Sequence, residues 1–92
     1  MSAPRRQVRV VYAGEVQGVG FRYTARGIAN ELGVTGGVEN LNDGTVRLVA
    51  EGPEEVLKRL LLNIRLSRVG MYIADERVQW GDEQGLSGFY YR

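Results

Sequence analysis

The hydrophobic period of this chain changes at one short stretch, residues 14–22, and this change constrains the fold more than any other feature. Before the stretch, residues 7–13 alternate as a β-strand does and are apolar enough on both faces to predict a central strand. After it, apolar residues recur at helical spacing over Phe21–Leu32, and Gly33 is a natural C-terminal stop. The chain therefore begins with a strand, a glycine-bearing turn and a helix.

The same stretch is a candidate cradle for an anion. Its glycines let the backbone turn tightly and approach a ligand closely. The helix N-terminus that follows adds unpaired N–H groups and a partial positive charge, and Arg22 falls in the first turn. These features predict a site for one phosphate-sized anion. The alternative is an ordinary strand-to-helix loop whose glycines only satisfy the turn, and the residue types alone leave both interpretations open.

The remainder of the chain predicts further strands and a second helix. An Asp-Gly turn at residues 42–44 between two alternating runs indicates a hairpin. The second helix opens at residues 52–55, where proline and two glutamates suit a first turn. Residues 67–74 are expected to be a connection, and residues 81–87 a polar loop. The strands after the first helix are predicted over residues 35–41, 45–51, 76–80 and 88–92.

The resulting order is β, α, β, β, α, β with a short fifth strand at the end. Two interleaved right-handed βαβ crossovers predict an antiparallel sheet of four or five strands with both helices on one face, which is the ferredoxin-like α+β sandwich. The 92 residues contain no repeat and no linker, so a single domain over 1–92 is expected, with residues 1–6 flexible.

Composition excludes several kinds of chemistry. The chain has neither Cys nor His, which removes thiolate nucleophiles, zinc–sulfur sites and the usual general base at neutral pH. A net charge of +1 does not favour nucleic acid or a membrane surface as a partner. No apolar run has the length of a membrane-spanning helix or a signal sequence, so a cytoplasmic protein is expected.

Other known phosphate-binding motifs do not match the glycine stretch. A dinucleotide fingerprint requires glycine where Tyr23 stands, and a Walker loop requires a lysine, whereas the chain has only Lys58. The cysteine-phosphatase arrangement would place its nucleophile at Val16, which cannot form a phosphoenzyme. An RNA-recognition module stacks bases on aromatic residues of its central strands, and residues 45–51 contain none.

The remaining polar and aromatic residues favour structural roles. Two pairs of adjacent carboxylates, at 54–55 and 75–76, diverge in space and predict surface charge rather than a metal site. Arg5, Arg6 and Arg9 are interpreted as a solvated edge. Trp80 and Tyr91 are expected to pack in the core or on the sheet.

Four short motifs lie along the chain in a fixed order. They are Gly14-x-Val16-Gln17-Gly18-Val19-x-Phe21-Arg22, Gly36-x-Val38-x-Asn40, Asp43-Gly44-x-Val46 and Gly88-Phe89-x-x-Arg92. With these motifs the chain resembles the acylphosphatase family from the first strand to Gly52, and residues 88–92 look like that family's C-terminus. The resemblance implies the ferredoxin-like fold and hydrolysis of the carboxyl–phosphate bond of acyl phosphates.

The resemblance implies a site and a mechanism. Asn40 would position the attacking water, and no metal or cofactor would be required. Orientation and charge stabilisation supply most of such a rate enhancement. The expected partners are an acyl phosphate as substrate and phosphate or sulfate as ligand, bound by a monomer. The implied phosphate-binding groups are Arg22 and the backbone amides of Gln17, Gly18, Val19, Gly20, Phe21 and Arg22.

Two residues depart from the family pattern. Glu15 stands where a basic residue is usual, and three outcomes stay open: its carboxylate repels the substrate, points outward or pairs with an arginine. Gly37 stands where Trp is frequent, which predicts a looser wall beside the site. The alternative function is a non-catalytic binding module, because the family resemblance includes such domains within larger maturation proteins. The chain ends at Arg92, which favours the free-standing enzyme over the module.

Overall fold

A computed structural model describes residues 4–92, which build one five-stranded sheet covered on one face by two α-helices. The α-helices are α1, Phe21–Leu32, and α2, Glu54–Leu66, and a 3₁₀ helix spans Arg68–Tyr72. The strands are β1, Arg5–Gly14; β2, Thr35–Asn40; β3, Val46–Pro53; β4, Ile73–Asp82; and β5, Phe89–Tyr91.

The strand order is β4-β1-β3-β2-β5, which confirms the ferredoxin-like prediction. The first four strands pair antiparallel, as expected. The terminal strand differs, because β5 runs parallel to β2 and makes the sheet mixed. Residues 83–88 carry the chain from the β4 edge to the opposite edge, so β5 enters in the same direction as β2.

Several element boundaries differ from the prediction. β1 begins at Arg5, inside the segment expected to be flexible, because Arg5 and Arg6 pair with Pro53 and Gly52 of β3. β4 extends well beyond residues 76–80 in both directions, since it pairs with β1 along almost its whole length. The predicted connection over residues 67–74 contains the 3₁₀ helix and the start of β4.

The core lies between the sheet and the two α-helices. Alternate residues of β1 point toward the helices and are fully buried, among them Tyr12, whose ring centre lies 4.8 Å from that of Phe21 in α1. Burial raises the pKa of the Tyr12 hydroxyl far above its ordinary value, and the nearby charge of Glu76 adds to this. The buried stripe of α2 consists of Leu57, Leu60, Leu61 and Ile64, while Val56 is only half-buried.

The helix-free face of the sheet carries a buried carboxylate, Glu51 of β3. Gln7 pairs with it across the sheet and donates a side-chain bond of 2.7 Å. The backbone N–H groups of Gln84 and Leu86 donate to the two carboxylate oxygens at 2.6 and 2.9 Å. Burial opposes ionisation of Glu51, but these hydrogen bonds prevail and hold its pKa below the ordinary value. Glu51 thus fastens residues 83–88 to the sheet.

In the described part of the chain, residues 4–92, no helix combines the length and the apolar character that crossing a membrane requires.

Candidate active site

The glycine stretch forms a loop that connects the end of β1 to the start of α1. Gly18 and Gly20 have φ angles of +79° and +83°, a left-handed conformation that favours glycine. Gly20 is the residue that precedes α1, and its side-chain-free backbone leaves the first N–H groups of the helix without a side-chain cap. Val16 and Phe21 are buried at either side of the turn. The loop is therefore anchored in the core while its turn faces outward.

Gln17 ties this loop to the hairpin between β2 and β3. Its half-buried side-chain amide donates to the backbone oxygens of Leu41 and Thr45, at 2.8 and 2.9 Å. Leu41 and Thr45 flank the last residue pair of the hairpin, Asn40 with Val46. The amide side chain of Gln17 thus has a structural role, since it holds the loop next to the hairpin that ends β2 at Asn40.

Asn40 lies at the end of β2 with its side chain only partly exposed. Its backbone N–H donates to the carbonyl of Arg92 at 3.0 Å, which fixes the residue between β3 and the C-terminal strand. Its side-chain oxygen Oδ1 is buried and accepts no hydrogen bond from the described residues. A buried acceptor without a partner is costly, and it is a natural place for a water molecule to donate a hydrogen bond.

Arg22 occupies the first turn of α1 and is half-buried. Its guanidinium carbon lies over the ring of Tyr91, 4.6 Å from the ring centre. No hydrogen bond joins its side chain to another residue within 4–92, so its N–H donors have no acceptor in the described part of the chain. Contact with the ring face holds the cation while leaving the in-plane N–H groups free for a carboxylate or phosphate.

The 3₁₀ helix supports the loop from the side opposite the hairpin. The guanidinium Nη1 of Arg68 donates to the carbonyl of Val19 at 3.2 Å. The backbone N–H of Glu15 donates to the carbonyl of Tyr72 at 3.1 Å. A Cβ on Gly14 would lie 2.3 Å from that same carbonyl, so only glycine permits the approach. Both ends of the loop are thus held by this helix.

Comparison with known proteins identifies the family. A model of the acylphosphatase family matches residues 8–90. An acylphosphatase of Thermus thermophilus is 47% identical over 77 residues, which cover 84% of this chain and 88% of that protein. The chain belongs to the acylphosphatase family. The crystal structure of a Bacillus subtilis acylphosphatase superposes with a TM-score of 0.85 at 33% identity, covering 91% and 94% of the two chains.

A second solved structure supports the same assignment. An acylphosphatase from Coxiella burnetii gives a TM-score of 0.87 at 30% identity over 97% of this chain and 94% of that chain. These relatives are enzymes, and acylphosphatase activity is inferred for this chain from them. The fold that the family resemblance implied is thereby confirmed.

Two side chains near the loop, one aromatic and one cationic, could not be predicted from the sequence. Tyr91 was expected only to pack, but its ring contacts both Arg22 and Arg26, whose guanidinium carbon lies 4.9 Å from the ring centre. Arg68 carried no signal at all, because it lies in a predicted connection. Both contacts join residues far apart in the chain, and neither spacing nor periodicity reports such contacts.

The two departures from the acylphosphatase pattern have different outcomes. Glu15 is exposed and forms no ion pair with any residue in the range 4–92. The space beside Gly37 is filled, since a Cβ there would lie 2.1 Å from a ring atom of Tyr90. An aromatic ring from the neighbouring strand β5 therefore covers Gly37.

Proposed function

We propose that this chain hydrolyses the carboxyl–phosphate bond of acyl phosphates without a metal ion. The observation that carries the proposal is the combination of an arginine side chain that donates no hydrogen bond and a buried amide oxygen that accepts none, both within residues 4–92. The arginine is Arg22 and the amide oxygen is Oδ1 of Asn40. Gln17 connects the loop before Arg22 to the hairpin next to Asn40. The two groups suit the two halves of the reaction, which are phosphate binding and water orientation.

The phosphate is held by charge and by backbone dipoles. The loop ends at the positive N-terminus of α1, which has no side-chain cap, so the N–H groups of residues 17–22 are the proposed backbone donors, and Arg22 adds a fork of N–H donors. As the phosphorus–oxygen bond breaks, negative charge redistributes over the phosphoryl oxygens, and these preorganised donors stabilise it.

The water is oriented by Asn40. Its Oδ1 accepts a hydrogen bond from the water, whose oxygen then attacks phosphorus while the bond to the acyl oxygen breaks. The electron pair of that bond stays on the acyl oxygen, which leaves as a carboxylate. An amide cannot take up a proton at neutral pH, so the protons of the water end on phosphate oxygens. Carboxylate and dihydrogen phosphate are the products.

One assay tests the proposal. The purified protein is incubated with benzoyl phosphate, with and without a chelator, and the loss of substrate is followed. We expect turnover that the chelator does not change. Absence of turnover would favour the binding module instead, and chelator-sensitive turnover would contradict the metal-free mechanism.

A further inference from the structure

Arg68 contacts the loop that the glycine stretch forms between β1 and α1, and it lies on the side of this loop away from Asn40. The strand order places β4, which follows the 3₁₀ helix, on one side of β1, and places β2, which ends at Asn40, on the far side of β3. Neighbouring strands are about 4.8 Å apart, so the β4 side of the loop, called here the 3₁₀ flank, and the β2 side, called the hairpin flank, are separated by several strand spacings. The loop leaves β1 between them.

The positions of Asn40 and Arg68 on opposite sides of the loop bear on where the water attacks and where the acyl oxygen leaves. In phosphoryl transfer the attacking and leaving oxygens are roughly in line across phosphorus. A water held by Asn40 therefore attacks from the hairpin flank. The acyl oxygen consequently departs toward the flank that holds the 3₁₀ helix.

The geometry points to Arg68 as the group that stabilises the departing carboxylate, an inference that rests on the proposed function. One nitrogen, Nη1, bonds the carbonyl of Val19, and the other, Nη2, lies 3.0 Å from where a Cβ on Gly20 would stand. The guanidinium is thus at the rim of the loop, close to Gly20. Its remaining donors and its charge are available to the acyl oxygen, on which the electron pair of the broken bond resides.

A leaving-group series tests this role. Substituted benzoyl phosphates, whose parent acids differ in pKa, are compared in the wild type, Arg68→Gln, Arg68→Lys and the control Arg59→Gln. Arg59 is also exposed and lies on α2, and its replacement by Gln removes the same charge as Arg68→Gln. In Arg68→Gln we expect kcat/KM to fall about tenfold for the weakest parent acid and much less for the strongest, because a poor leaving group depends most on the cation.

The other variants separate this role from loop support. Arg68→Lys keeps the charge and is expected to restore most of the wild-type dependence on leaving-group pKa, while Arg59→Gln leaves it unchanged. Inhibition by inorganic phosphate should change less than about twofold in Arg68→Gln, since phosphate has no leaving group. A uniform fall across the series, weaker phosphate inhibition, or no change would each overturn the inference. Failure of the wild type to turn over benzoyl phosphate would instead overturn the proposed function.

Discussion

The guanidinium of Arg22 lies over the ring of Tyr91, so the first turn of α1 and the last strand of the sheet meet at the candidate phosphate site. Arg26, one turn further along α1, contacts the same ring. Two arginines four residues apart on a helix repel each other, and the negative face of the ring offsets this repulsion. Tyr91 therefore orients Arg22 before any anion arrives.

Replacing Tyr91 should loosen Arg22 without removing its charge. We expect Tyr91→Leu to weaken inhibition by inorganic phosphate about two- to fivefold, which corresponds to the loss of one exposed cation–π contact of about 0.5–1 kcal/mol. Tyr91→Phe keeps the ring face and should match the wild type. Phosphate inhibition constants from the turnover assay provide the measurement, and a Phe variant as weak as the Leu variant would exclude the ring as the cause.

Removing Arg22 should abolish phosphate binding. Its charge-assisted hydrogen bonds are lost at a partly buried site, so we expect Arg22→Ala to cost about 2–5 kcal/mol of phosphate binding. Arg26→Gln is the matched control, because it removes a cation from the same ring but one turn away from the loop. Calorimetric titration with phosphate measures both, and equal losses in the two variants would assign the effect to net charge alone.

Asn40 should affect the rate more than binding. We expect Asn40→Ala to bind phosphate almost normally and to lose on the order of 10²–10³ in kcat, since one positioning group for the water is removed. Asn40→Asp tests the same position differently, because a carboxylate close to the loop would repel phosphate and weaken its binding as well. Normal turnover by Asn40→Ala would refute the role in orienting water.

The loop and the fold were predictable because their signals are local. A change of period, two glycines and Arg22 are adjacent in sequence, and the Asp-Gly turn places Asn40 at the end of a strand. The contacts of Tyr91 and Arg68 were not predictable. Each depends on elements that meet only in the folded chain, through a three-residue strand and a short 3₁₀ helix that carry weak patterns of their own.

The parallel pairing of β5 illustrates the same limit. Its direction depends on how residues 83–88 cross the sheet, and that path is held by Glu51, a residue that reads in sequence as the end of an ordinary strand. A polar residue at a strand end predicts exposure. Only the folded chain shows that two backbone N–H groups from a distant loop satisfy its carboxylate.

The ring of Tyr90 should make Gly37 intolerant of any side chain. We expect Gly37→Ala to lower the free energy of unfolding by about 1–3 kcal/mol, because the new methyl group would overlap the ring. Gly81→Ala, for which no other atom of residues 4–92 beyond its chain neighbours lies within 4 Å of the new Cβ, should change stability by less than about 0.5 kcal/mol. Chemical denaturation measures both. A smaller cost of Gly37→Ala in a Tyr90→Ser background would show the coupling, and an equal cost would contradict it.

The carboxylate of Glu51 should make the fold sensitive to acid. Its pKa in the folded chain is lowered by hydrogen bonds, so its contribution to stability is fully present above the unfolded value near 4.5 and is lost as the pH falls through the folded value. We expect Glu51→Gln to lower the free energy of unfolding at pH 7 by about 1–3 kcal/mol, since an amide donor replaces an oxygen that accepts hydrogen bonds from Gln7 and Gln84.

The pH dependence separates this effect from a simple loss of packing. Denaturation midpoints between pH 7 and pH 3 should fall less steeply in Glu51→Gln than in the wild type, because the titrating group is gone. Glu83→Gln is the matched control, since Glu83 lies in the same segment but forms an exposed ion pair with Arg5. Such a pair contributes less than about 1 kcal/mol, so this variant should keep the wild-type slope. Equal slopes in Glu51→Gln and the wild type would show that Glu51 is not the group that acid protonates when residues 83–88 detach.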